Sequence, residues 1–265
     1  MSDVQREKMF WTAGIFLVVV ILGVFLLAPE WTQHPKLPPK VEMNHHMADM
    51  PGMDHTMMAQ EETSEQKAKH LIDKRVSEFN HRFAGVLVIL AALFFLGQER
   101  LEKRWPAARY AWPMCFLAAG LFVLIFSDTE IWPMGYQSFA FAVLNDPEVA
   151  QHKLFAAILL MLGCVETLRI SGRWKAAWSA WVFPVIAIGG AVLLLFHQHG
   201  GMHGPDAMQT MARVQSQHLR FAVVGVGIAV TKGMAESNVR GREIFRKIWP
   251  LLMLFLGLLL VLYSE

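Results

Sequence analysis

The sequence predicts an all-α integral membrane protein with seven transmembrane helices, an N-terminal anchor followed by three repeated helical hairpins. Three observations carry this. The chain is 54% hydrophobic and only 17% charged, with a mean hydropathy of +0.36, whereas a soluble domain averages about 25% charged residues. Long apolar stretches fall at 9–28, 82–97, 112–127, 153–168, 178–197, 218–234 and 249–263. Crossing the hydrocarbon takes about 20 residues, so the shorter stretches need helices that run on into flanking polar residues. Lys and Arg also segregate. Arg100, Lys103, Arg104 and Arg109, then Arg169, Arg173 and Lys175, then Lys232, Arg240, Arg242, Arg246 and Lys247 share one set of loops. The opposite short loops hold little beyond Lys153, Arg213 and Arg220. The positive-inside rule then puts the N-terminus in the cytoplasm and the C-terminus outside, as in a bacterial inner membrane. Topology accounts for the basic residues, so the net charge of +2 says nothing about nucleic acid.

The first stretch follows Arg6-Glu7-Lys8 but is too long for a signal-peptide core. No small-x-small cleavage site precedes Pro29-Glu30-Trp31, so 1–28 reads as a retained anchor. Residues 29–75 read as a periplasmic Met/His-rich loop and 76–265 as a six-helix bundle. Within that bundle each inward helix opens on a related string: His81-Arg82-Phe83-Ala84, His152-Lys153-Leu154-Phe155-Ala156 and His218-Leu219-Arg220-Phe221-Ala222. Each outward helix opens near a proline, at Trp112-Pro113, Trp181-Val182-Phe183-Pro184 and Trp249-Pro250, where the first turn loses no hydrogen bond to proline. Fifteen residues beyond each proline stand Asp128, His199 and Glu265. Every hairpin therefore offers a His on entry and a His or carboxylate on return, the mark of an internal repeat. Asn145-Asp146-Pro147-Glu148 reads as a helix cap. Gly204-Pro205-Asp206 reads as an early start to the sixth of the seven predicted helices, with Met208, Met211, Gln215 and His218 as a stripe on one face.

All eleven histidines fall on the outer side of this topology. Imidazole is the commonest metal ligand among side chains and is unwelcome in lipid without a task. Three constellations follow. The segment 43–58 holds Met43, Met47, Met50, Met53, Met57 and Met58 with His45, His46 and His55, and almost nothing apolar to build a core. Soft thioethers with imidazoles suit Cu(I), so it reads as a metal capture loop. His197, His199, His203 and Met202 crowd into seven residues as the chain leaves the fifth of the seven predicted helices. His81, His152 and His218 with Asp128, His199, Glu265 and Glu78 are expected to form a ring of metal ligands round one axis. Met134, in the loop from Asp128 to Asp146, either joins that site or belongs to a small lid. Glu99, Glu166 and Glu236, at the opposite ends of the inward helices, read as surface ion-pair partners of nearby Lys and Arg. The tryptophans at predicted interfaces, among them Trp112 and Trp249, read as an aromatic belt. Cys115 and Cys164 lie near the inner ends and imply no structural disulfide. No phosphate-binding glycine loop, nucleophile elbow or haem-attachment motif is present, and no catalytic residue is nominated.

These residues resemble the copper resistance D family, multi-helix inner-membrane proteins that accompany periplasmic copper-binding partners. The likeness covers roughly 76–265 and rests on the repeated helices, on His81, His152, His199 and His218, and on the Met/His-rich segment 43–58. It implies copper movement or delivery at the inner membrane, with a periplasmic copper chaperone or a membrane protein as partner. The expectation is a protein that captures copper ion at the periplasmic face and transports it or delivers it. The alternatives are a membrane metalloenzyme with an open coordination position and a b-type haem protein with two histidines on facing helices.

Overall fold

The structure is a computed structural model that describes residues 64–197, 207–237 and 239–265. Among these residues there is no strand, only an isolated bridge between Ile131 and Gln137. The helices are α1 (Ser64–Arg104), α2 (Ala111–Phe126), the short α3 (Phe139–Asn145), α4 (Pro147–Ile170), α5 (Val182–Leu195), α6 (Ala207–Glu236) and α7 (Arg242–Val261). Among the described residues five segments are long and apolar enough to cross a membrane: Leu71–Arg104, Pro106–Phe126, Ala177–Leu195, Met208–Glu236 and Arg242–Val261. These are five of the six spans expected within the described residues, so the count of seven is not confirmed. The anchor at 1–28 lies outside the described residues. Helix α4 has 24 residues but is diluted by Glu148, His152, Lys153, Glu166 and Arg169.

Local chemistry explains most boundaries. Helix α1 stops at Arg104 because Pro106 holds Trp105 in extended backbone, φ −141° and ψ 92°. Asp146 caps α4 by accepting from the N–H groups of Glu148 at 2.9 Å and Val149 at 3.3 Å, with Pro147 at the first helical position. Helices α2 and α5 each follow a five-residue 3₁₀ turn, Pro106–Tyr110 and Ala177–Trp181, and each carries its proline in the first turn. The third outward helix departs from this rule. Pro250 lies inside α7, which begins at Arg242. A proline removes one hydrogen bond there, and the two turns ahead of it carry the charged residues beyond the apolar stretch. Helix α1 departs as well: it begins at Ser64, inside the expected loop 29–75, so His81 sits well within a helix of 41 residues and does not open it.

The long helices close into a ring. The hairpins α1/α2, α4/α5 and α6/α7 each pack internally, and α2 meets α4, α5 meets α6, and α7 meets α1. Glycine permits the closest of these approaches. A Cβ on Gly257 of α7 would lie 2.6 Å from Ile89 Cγ1 and 2.8 Å from the Gly85 carbonyl oxygen of α1. A Cβ on Gly163 of α4 would lie 2.7 Å from the Leu117 side chain of α2. Small residues at crossings are the usual device where lipid supplies no hydrophobic drive between helices.

The core corrects the aromatic belt. Trp112 and Trp249 are buried, and with Phe183 they form a three-way cluster with ring centroids 5.6, 6.5 and 6.3 Å apart. Each precedes the proline of its hairpin, and the closed ring turns all three inward. Trp105, Trp132 and Trp181 are exposed, as a belt requires.

Candidate metal centre

Four of the described histidines meet at one end of the ring, delivered by four helices. His218 of α6 is fully buried. Its ring centroid lies 4.9 Å from that of His197, just past α5, and 5.9 Å from that of His81 in α1. His197 lies 5.2 Å from His152 of α4. His81 stacks on Tyr263 at 3.8 Å and 19°. The rings thus run from His152 through His197 to His218, which stands 5.9 Å from His81 and 6.0 Å from Tyr263, where the repeat predicts a closed ring.

Three of these rings have Nδ1 anchored. His152 Nδ1 is 2.8 Å from Asp128 Oδ1, His197 Nδ1 is 2.6 Å from Gln151 Oε1, and His81 Nδ1 is 2.9 Å from the Ser77 carbonyl oxygen. A partner on one ring nitrogen fixes which nitrogen a metal would meet.

The carboxylates are spoken for. Asp128 Oδ2 accepts from Lys153 Nζ at 2.8 Å and from the Ser127 hydroxyl. Lys153, itself buried, also donates to the Leu124 carbonyl oxygen at 2.9 Å and to Ser127 Oγ at 3.1 Å. Burial raises the Asp128 carboxyl, but the hydrogen bond and charge of His152, with Lys153, outweigh it and hold it below the usual range. Burial lowers His152, and Asp128 outweighs that and holds it above its ordinary value. Glu265 accepts from Ser77 Oγ at 2.5 Å and from Tyr263 Oη at 2.8 Å, and its backbone carbonyl accepts from Lys74 Nζ. Glu78 binds Arg82 at 2.8 Å and the Glu265 N–H at 3.3 Å. Gln217 donates to the Ser264 carbonyl oxygen at 2.7 Å and accepts from its N–H at 3.3 Å, which pins the last residues of the chain against α6 and sets Tyr263 on His81.

The structure therefore gathers His81, His152, His197 and His218 and sets Asp128, Glu78 and Glu265 round them as hydrogen-bond acceptors. His199, His203 and the capture loop 43–58 lie outside the described residues. Among the described residues no three of His, Cys, Asp and Glu already stand in position to hold a metal ion. The methionine stripe is corrected. Helix α6 does start early, at Ala207, but Met208, Met211 and Gln215 are exposed while Val214, Gln217 and His218 turn inward. Met134 packs on Val76, Phe122 and Phe126 in an apolar cluster. Cys115 and Cys164 are free. Sequence reasoning missed Tyr263, Gln151 and the Lys153–Asp128 pair, whose signals were no more than adjacency to His152 and Glu265.

Comparison of the chain with family models, with curated proteins and with solved structures finds no match. The likeness to the copper resistance D family rests on the residues quoted for it.

Proposed function

We propose that the histidine end of this multi-pass membrane protein binds copper, accepting the ion from the periplasmic side and passing it through the bundle or on to a partner protein. One observation carries the reading. An imidazole nitrogen ligates a metal at about 2.0 Å, so two rings sharing a tetrahedral or trigonal ion have centroids roughly 5 Å apart. The His152–His197 and His197–His218 centroids are 5.2 and 4.9 Å apart. Anchored Nδ1 atoms on His152 and His197 leave Nε2 as the nitrogen each would turn to the ion, and modest ring rotation completes the site. The role of Asp128 changes accordingly. With one oxygen on His152 and the other on Lys153, it orients a ligand, and Glu265 and Glu78 hold the helix ends in place. The loop 43–58 then serves as a loose first acceptor whose thioethers favour Cu(I).

The test loads the purified full chain with Cu(I), removes weakly held ion by dialysis against a competing chelator, and counts copper per chain. Wild type and a variant with the six loop methionines 43, 47, 50, 53, 57 and 58 changed to Leu should retain equal tightly held copper. His152→Ala/His218→Ala should retain little while keeping its helical circular dichroism. A full complement in that double variant would refute the site.

A further inference from the structure

A second site lies at the other end of the ring, where a cavity of about 380 Å³ opens between α1, α2, α4, α6 and α7. That is within the range of about 300–1,000 Å³ typical of small-molecule pockets. Its floor is an ion-paired network. Arg169 bridges Glu166 and Glu236 at 2.9 Å each. Lys232 hydrogen-bonds Glu236 and stands 3.9 Å from Glu166. Lys232 is also surrounded by the rings of Trp112, Phe183 and Trp249, at 6.0, 5.8 and 5.1 Å from its Nζ, so one aromatic from each hairpin cradles this ammonium. Glu166 is buried here, which corrects its reading as a surface pair, whereas Glu99 is exposed.

These two cations and two carboxylates satisfy one another. Two further lining cations, Arg242 and Arg246, have no such partner within the cavity among the described residues. Among those residues they share Glu243, at 3.4 and 3.5 Å, a carboxylate that is itself largely exposed and does not line the cavity. Exposed pairs of that kind are weak and readily exchanged. Even with Glu243 counted, cations exceed carboxylates by one. Trp112 also lines the cavity, and its buried indole N–H has no acceptor among the described residues.

We propose that this cavity binds a phosphate group, with Arg242 and Arg246 as the forked donors above the charge-balanced floor of the Lys232 network. Guanidinium geometry matches phosphate oxygens two at a time, and basic pockets between membrane helices are suited to phospholipid headgroups. A free phosphate presents the same oxygens, so the source of the group is decided by experiment. The inference is independent of copper, since no residue of the histidine end takes part.

The experiment uses the purified full chain. Calorimetric titration in detergent with inorganic phosphate, against chloride at equal ionic strength, tests the soluble source. Thermal unfolding in nanodiscs of phosphatidylglycerol against nanodiscs of a phosphate-free digalactosyl lipid tests the headgroup. Binding in either arm supports the site and identifies the source. Arg242→Gln/Arg246→Gln should weaken phosphate binding at least tenfold, or erase the lipid difference. Both side chains are more than half exposed, so the fold should persist, and Arg246→Gln alone should show the same trend. Arg173→Gln, an exposed arginine outside the cavity, should change neither. No response in either arm, or an equal loss with Arg173→Gln, would overturn the proposal.

Discussion

Replacing Asp128 by Asn separates two jobs that one carboxylate performs. Its Oδ1 orients His152 at 2.8 Å, and its Oδ2 balances the buried ammonium of Lys153 at 2.8 Å. Removing one member of a buried pair costs about 3–5 kcal/mol because the other is left uncompensated. Here the cost should sit near the lower figure. Lys153 keeps two neutral acceptors, the Leu124 carbonyl oxygen and Ser127 Oγ, and the Asn carbonyl still accepts from one neighbour. Loss of an orienting partner to a ligating His typically costs 10–100-fold in metal affinity. Asp128→Asn should therefore unfold at a markedly lower temperature in detergent and hold copper more weakly by that factor. Asp128→Asn/Lys153→Met removes the stranded charge, so it should recover most of the thermal stability but not the copper affinity. Recovery of both would mean that Asp128 serves only to neutralise Lys153. An Asp128→Asn protein as stable as wild type would refute the buried-pair argument.

Other outcomes follow from the same geometry. Gly257→Ala puts a Cβ 2.6 Å from Ile89 and 2.8 Å from the Gly85 carbonyl oxygen. Forcing α1 and α7 apart should cost about 1–3 kcal/mol, visible as lower thermal stability in detergent, and an unchanged melting temperature would sink the close-contact reading. Because His152 is held above its ordinary value of 6.5, protons should displace copper beginning above that pH, and copper retention followed across pH 5–8 checks this. In the metal-free protein the raised His152 stabilises fully below 6.5 and less as pH rises through its folded value. The lowered Asp128 stabilises above 3.8 and is lost as pH falls through its folded value. The pair's contribution should thus peak between about 3.8 and 6.5, and loss of the maximum in Asp128→Asn is the check. A synthetic peptide of 43–58 should compete for Cu(I) through its methionines, and the six-Leu version should not. Equal competition would reduce that segment to a spacer.

The hairpins, the separation of histidines from basic residues, and the convergence of His81, His152 and His218 were legible in the sequence. Matched entry strings and charged loops are written linearly along the chain. Facing was not legible. Helices α2 and α5 are apolar on every side, so nothing in their residue pattern distinguishes a tryptophan in lipid from one in the core. Trp112 was misplaced for that reason, and Trp249 because it closely follows the charged run Arg242 to Lys247, which reads as a membrane interface. Met208 and Met211 share a register with His218 over a few residues, but the packing of Val214 and Gln217 decides which face turns in. The pairing of Lys153 with Asp128 joins residues 25 positions apart, and the loop between them sets it. Fifteen-residue counting nominated Asp128 and Glu265 as ligands but could not show their hydrogen bonds, Asp128 to His152 and Lys153 and Glu265 to Ser77 and Tyr263.

X-ray absorption at the copper edge of the Cu(I)-loaded six-Leu loop variant is the most direct test of the central claim, since the loop can then supply no thioether. The account predicts a first shell of two or three nitrogen scatterers at about 2.0 Å with the multiple-scattering pattern of imidazole, and that shell should vanish in His152→Ala/His218→Ala made in the same background. A first shell of sulfur alone, a shell unaffected by the double substitution, or a purified protein whose visible spectrum is that of haem would contradict it.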